Sequence, residues 1–121
     1  MRIATKRIYE PADPADGTRV LIMRLWPRGI RKDRVDLWRK ELGPVKELLR
    51  DFLDKNIDWP TYTQRYLAGL ERAEAQKAIA EVRTLAGKDR VTLLCGCADE
   101  RHCHRSLLAE YLRRTSTSRP V

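Results

Sequence analysis

The stretch Thr18–Trp26, TRVLIMRLW, is nearly continuously apolar and is bounded by Gly17 and Pro27. Such a run reads as a strand buried on both faces. Arg90–Cys95, RVTLLC, reads as a second short buried strand. Between the two, apolar residues fall at helical spacing. Asp36–Leu42 predicts a short helix closed by Gly43-Pro44, and Val45, Leu48, Leu49, Phe52 and Leu53 line one face of another. A longer helix starts near Asp58–Pro60, where an acid and a proline suit a first turn. Tyr62, Tyr66, Leu67 and Leu70 line its face, then Ile79, Val82 and Leu85, with a bend at Gly69 or Ala73–Ala75 and Gly87 as its cap. A helical crossover of this kind makes the flanking strands parallel.

Outside that unit, Arg2–Tyr9 predicts a weakly alternating first strand, and Glu10–Gly17 a surface loop. Cys103–Arg114 predicts a last helix with Leu107, Leu108, Tyr111 and Leu112 inside. The order β-β-α-α-α-β-α implies one three-layer α/β domain over residues 1–114, with a small, mainly parallel sheet flanked by helices. Residues 115–121 form a polar tail. Ligands of open parallel sheets bind beyond the carboxyl ends of the strands, and both informative loops of this chain leave such ends.

Charge narrows the partners. The chain carries a net +8, and residues 1–40 hold 11 basic and 5 acidic side chains against 6 and 7 in residues 41–80. This asymmetry suits an anionic small molecule or nucleotide, with nucleic acid as a further candidate. No apolar run is long enough to cross a membrane. An odd count of three cysteines without an export signal predicts reduced thiols and a cytoplasmic setting.

Two segments can carry chemistry. In RLWPRGIRK, strand alternation puts Val20, Ile22, Arg24 and Trp26 on one face, so Arg24 needs either an internal carboxylate or a bound anion. Arg28, Arg31 and Lys32 follow in the loop. The second segment, CGCADERHCHRS (95–106), gathers every cysteine and histidine of the chain. Cys103, His104, Arg105 and Ser106 open a helix whose N-terminus favours anions and thiolates. Cys103 is then a candidate nucleophile and His104 a candidate general acid/base, with Arg24, Trp26, Arg28, Cys95, Arg105 and Ser106 as ligand contacts. Arg105 follows Cys103 by two, not five, and no glycine-rich cradle follows the cysteine, which argues against a phosphatase or sulfurtransferase.

Zinc is the alternative cofactor, held by Cys95, Cys97, Cys103 and one histidine, His102 or else His104, although one residue between the first two cysteines is fewer than structural zinc pairs usually leave. A transient disulfide from Cys103 to Cys95 or Cys97 is a third possibility. A basic nucleic-acid-binding module without chemistry is the remaining reading, and it predicts affinity that falls steeply with salt.

The stretches KRIYEPADPADGTRVLIMRLWPRGIRK, LWRKELGP, WPTYTQRYLAGL and VTLLC…CHRSLLAEYL together resemble the DUF488 family of small bacterial and archaeal proteins, with RLWPRG the most specific element. The resemblance implies a compact α/β domain and brings no established reaction. In that family an acid commonly precedes RLWPRG, where this chain has Met23. A serine follows the proline of the GP position, where Val45 stands, and an arginine often occupies the place of Leu49. The closing LLC…CHR resembles the cysteine-bearing branch of the family, so the cysteines are a branch feature and not shared chemistry.

Overall fold

The computed structural model describes residues 2–97 and 99–115. Four parallel strands form one sheet in the order β1-β4-β2-β3: β1 Ile3–Arg7, β2 Thr18–Leu21, β3 Leu37–Trp38 and β4 Val91–Cys95. The two apolar runs are the inner pair, in register from Thr18 opposite Val91 to Leu21 opposite Leu94. Both faces of β4 are covered, and every one of its residues is buried. Four helices follow the chain: α1 Lys46–Leu53, α2 Trp59–Gly69, α3 Ala73–Lys88 and α4 His104–Thr115. None of the described helices is long and apolar enough to cross a membrane. The expected tail at 115–121 lies outside the described residues apart from Thr115, which ends α4.

The layers differ in kind. On one face, Val20, Ile22, Val91 and Leu93 join Leu48 of α1, Tyr62 and Tyr66 of α2, Ile79 and Val82 of α3, and Leu108 and Leu112 of α4 in a single core. On the other face, Ile8, Leu21 and Leu94 are covered by Met23, Trp26, Ile30 and Val35. That third layer is loop, not helix. Its polar part is closed by Asp16, whose carboxylate takes hydrogen bonds from Lys6 (3.1 Å) and Arg19, while the Thr92 hydroxyl donates to the Asp16 carbonyl (2.7 Å).

Several expectations are corrected here. The helix predicted over Asp36–Leu42 is instead the edge strand β3 followed by a 3-10 turn, Lys40–Leu42. The Asp36 carboxylate accepts from the Arg19 amide (2.8 Å), and the Asp36 and Arg39 amides donate to the Arg19 and Leu21 carbonyls (2.9 Å each). Pairing with the open edge of β2 satisfies groups that a local helix would leave unpaired. The long helix divides at Leu70–Arg72, between the two expected bend positions, where the Gln76 side-chain amide donates to the Leu70 carbonyl (2.6 Å). Gly87 is no cap; α3 runs through it and ends at Lys88.

The strand predicted over Thr18–Trp26 stops at Leu21. A Cβ on Gly43 would lie 2.6 Å from the Arg24 nitrogen, so the exit of β2 presses against a backbone that tolerates only glycine. Beyond that crossing the period-two alternation lapses. Arg24 turns toward α1 and α2, whereas Trp26 packs over the loop-covered face, so the two do not share a side.

Candidate metal centre

The carboxyl end of β4 runs straight into the site. Cys95 is the last residue of β4, Gly96-Cys97 turn away, and Cys103 is extended (φ −135°, ψ 143°) before α4 starts at His104. In a continuous strand, neighbours point to opposite faces. At this extended-to-helix junction, Cys103 and His104 converge instead. The Sγ atoms of Cys95, Cys97 and Cys103 and a ring nitrogen of His104 all lie within 4.8 Å of one another. Cys95 to Cys97 is 3.5 Å, Cys95 to Cys103 3.2 Å, and His104 Nδ1 stands 3.7 Å and 3.9 Å from Cys95 and Cys103. Cys95, Cys103 and His104 are buried and Cys97 is half-buried.

The surroundings orient these donors. His104 Nε2 lies 2.6 Å from the Ile22 carbonyl oxygen, which can only accept, so the Nε2–H donates there and Nδ1 faces the sulfurs. The Tyr66 ring packs edge-on to the imidazole at 5.6 Å, and its hydroxyl donates to the Leu42 carbonyl (2.7 Å). Arg105, buried at 4% exposure, donates to the Cys97 carbonyl (2.7 Å) and reaches Cys103 Sγ at 3.5 Å. Arg7 donates to the Gly96 carbonyl at 3.3 Å.

Protonation follows from the crowding. Burial alone would lower the His104 pKa, but hydrogen bonding to the Cys103 and Cys97 sulfurs outweighs it and raises it to about 9. Hydrogen bonds from Cys103 and Cys95 hold the Cys97 thiol far below the ordinary thiol range, while hydrogen bonding to Cys95 and Cys97, together with burial, pushes Cys103 up. All four groups are soft or borderline donors, and the cluster can hold a metal ion.

The expected site residues divide accordingly. Cys95, Cys97, Cys103 and His104 come together, with Arg105 behind them. His102 does not join, which corrects the alternative ligand set: it is exposed, bonded through Nδ1 to Asp99 (2.7 Å) and packed edge-on against Trp59. Ser106 is half-buried, its amide donating to the Cys103 carbonyl (3.2 Å). Arg24 is not among the four converging donors; it donates to the Gly43 carbonyl (2.8 Å). It lines a cleft of about 270 Å³ with Tyr66, Leu48 and Leu70. Trp26 donates to the Ile30 carbonyl (2.8 Å), and Arg28 is exposed. Tyr66 and the Ile22 carbonyl went unforeseen; Tyr66 reads in sequence as one more core residue of an amphipathic helix.

A family model described as the active DUF488-N3 subclade, DUF488-N3a, matches residues 3–116. Uncharacterized protein YeaO of Escherichia coli (strain K12) is 40% identical over 116 residues, spanning 93% of this chain and 98% of that protein. Uncharacterized protein Rv3073c of Mycobacterium tuberculosis (strain ATCC 25618 / H37Rv) is 37% identical over 113 residues, spanning 92% and 93%. Uncharacterized protein Mb3100c of Mycobacterium bovis matches to the same extent. No solved structure matches the chain.

Proposed function

The chain belongs to the DUF488 family, in its DUF488-N3 subclade, and we propose that it is a zinc-binding protein with Cys95, Cys97, Cys103 and His104 as ligands. The observation that carries this reading is the convergence of three sulfurs and a correctly presented Nδ1. Donors at ordinary zinc–sulfur and zinc–nitrogen lengths stand about 3.5–3.8 Å apart along the edges of a tetrahedron. Four of the six donor separations, 3.2–3.9 Å, bracket that range, and all six lie within 4.8 Å, before any metal has drawn the ligands in.

Two further features support it. A histidine ligand characteristically gives its other N–H to a carbonyl or carboxylate, as His104 does to Ile22. Three thiolates around a divalent ion leave one net negative charge, and buried Arg105 stands where it offsets that charge. Four protein donors fill a tetrahedral shell, so the ion's role is to pin β4, the exit of β2 and α4 to one point.

The test is metal content by mass spectrometry on untagged protein purified without chelator, with cobalt substitution as the optical readout. One zinc per chain, and cobalt bands of a tetrahedral sulfur-rich site that change in His104→Gln and persist in His102→Gln, are expected. Three freely titrating thiols with no metal overturn the reading. A second reading, an anionic small molecule, rests on Arg24, Arg65 and Arg72 in the cleft beside Tyr66, which Glu41, Glu47, Asp51 and Glu74 also line. Thermal stabilisation by phosphate or a nucleotide that is lost in Arg24→Ala tests it.

A further inference from the structure

We infer that the surface around the Cys95-Gly96-Cys97 turn binds single-stranded nucleic acid. The large hydrophobic side chains most exposed among the described residues are Tyr9 (46%), Leu25 (61%), Trp38 (37%) and Leu53. Scattered exposed apolar residues are ordinary, but here all except Leu53 belong to the segments at the carboxyl end of the sheet. Tyr9 follows β1, Leu25 follows β2 and Trp38 closes β3.

Contacts through Met23 link Tyr9 to Trp38. A Cβ placed on Gly96 would meet the Met23 side chain at 3.4 Å and the Tyr9 ring at 3.8 Å, so both flank the turn. The Trp38 indole N–H donates to the Met23 carbonyl (2.7 Å), and Trp26 packs edge-on against the same indole at 5.4 Å. The polar edge of Trp38 is thereby satisfied inward while its ring stays partly in solvent.

Cations are interleaved with these rings. The Arg7 guanidinium lies over the Tyr9 ring, 5.1 Å from its centre, and the Tyr9 hydroxyl donates to the Arg28 carbonyl (3.3 Å). Arg28 is exposed and makes no ion pair among the described residues. Arg31, further along, pairs only loosely with exposed Asp33 at 3.3 Å. Glu10 is the nearby acid, and it is engaged by the Arg7 amide (3.0 Å).

Aromatic faces beside arginines fit a ligand with flat π-systems on a polyanionic backbone. Bases stack on rings irrespective of sequence, while phosphates take the guanidinium groups. A duplex hides its base faces, so the matching partner is a single strand. The excess of positive charge in the first 40 residues places long-range attraction on the same segments that build the surface.

The test is fluorescence anisotropy of a labelled oligothymidylate or oligouridylate, with a duplex of equal length as comparison, at 50 and 200 mM salt. Binding is expected to favour the single strand and to weaken several-fold across that salt range. Tyr9→Ala and Trp38→Ala should each weaken it about ten-fold, and Arg28→Glu should weaken it and flatten the salt dependence. Lys88→Glu, at the opposite end of the sheet, removes the same charge and should change little; unaltered melting temperatures certify that the variants fold. No binding at 50 mM salt, preference for the duplex, or equal losses in Lys88→Glu and Arg28→Glu with none in the aromatic variants would each overturn the proposal.

Discussion

Two buried polar clusters flank the sheet, and they are solved in opposite ways. On the loop-covered face, the Asp16 carboxylate is enclosed by the Lys6 and Arg19 cations, so its counter-charges come from the protein itself. At the carboxyl end, Cys95, Cys97, Cys103 and His104 offer four electron-pair donors to one point, with Arg105 as their buried counter-charge. The first arrangement is a closed ion-pair network, useful for fixing how loop 10–17 lies on the strands. The second, on the proposed zinc-binding reading, gains its full value by coordinating a cation. Buried polarity thus marks architecture in one place and chemistry in the other, and the chemical types of the donors tell them apart.

Breaking the coordination end should cost most. Chelator treatment or Cys103→Ser is expected to release the metal and to destabilise the protein by more than about 4 kcal/mol, since binding energy of a structural ion is folding energy. Calorimetry beside metal analysis reads both. Unchanged melting after complete metal loss would mean that the cluster is not structural.

At the ion-pair end, Asp16→Asn leaves Arg19 buried without its carboxylate and should cost about 3 kcal/mol, with metal content untouched. This cluster also sets an acid limit. Burial opposes ionisation of Asp16, but hydrogen bonds from the Asp13 backbone, Lys6 and Arg19 prevail and hold its pKa below the ordinary value. A carboxyl depressed on folding contributes stability above its unfolded pKa and loses it as pH falls through the folded one. Urea midpoints should therefore drop on acidification below about pH 4 more steeply in the parent than in Asp16→Asn.

Smaller effects sharpen the contrast. Arg105→Lys keeps the charge but not the fork, and should weaken metal affinity by about 10-fold or more in a competition titration. Tyr66→Phe removes the hydroxyl bond to Leu42 and should cost about 1 kcal/mol, with metal stoichiometry preserved.

Sequence patterning foretold the architecture because the apolar runs are long-range signals. Val20, Leu21, Leu93 and Leu94 are fully buried, and the crossover between their strands left only a parallel pairing to expect. Where the sequence misled, short-range pattern met a tertiary demand. Asp36–Trp38 carries helical spacing, yet the edge of β2 claims it. His102 and His104 are indistinguishable by spacing; the choice between them depends on the Ile22 carbonyl, 82 residues away in the chain. Trp26 was assigned to the Arg24 face because nothing local announces the crossing at Gly43.

The placement of β4 has a consequence for how the molecule comes into being. It lies between β1 and β2, although it is the last strand made. The two earlier strands have no ladder with each other; each waits for Val91–Cys95. During synthesis, most of the chain must leave the ribosome before the sheet can close, and the helices meanwhile lack the apolar wall they pack on. Assembly is therefore a late, long-range event. The segment that completes it ends in Cys95, so closing the sheet and bringing the first sulfur to the cluster are the same step.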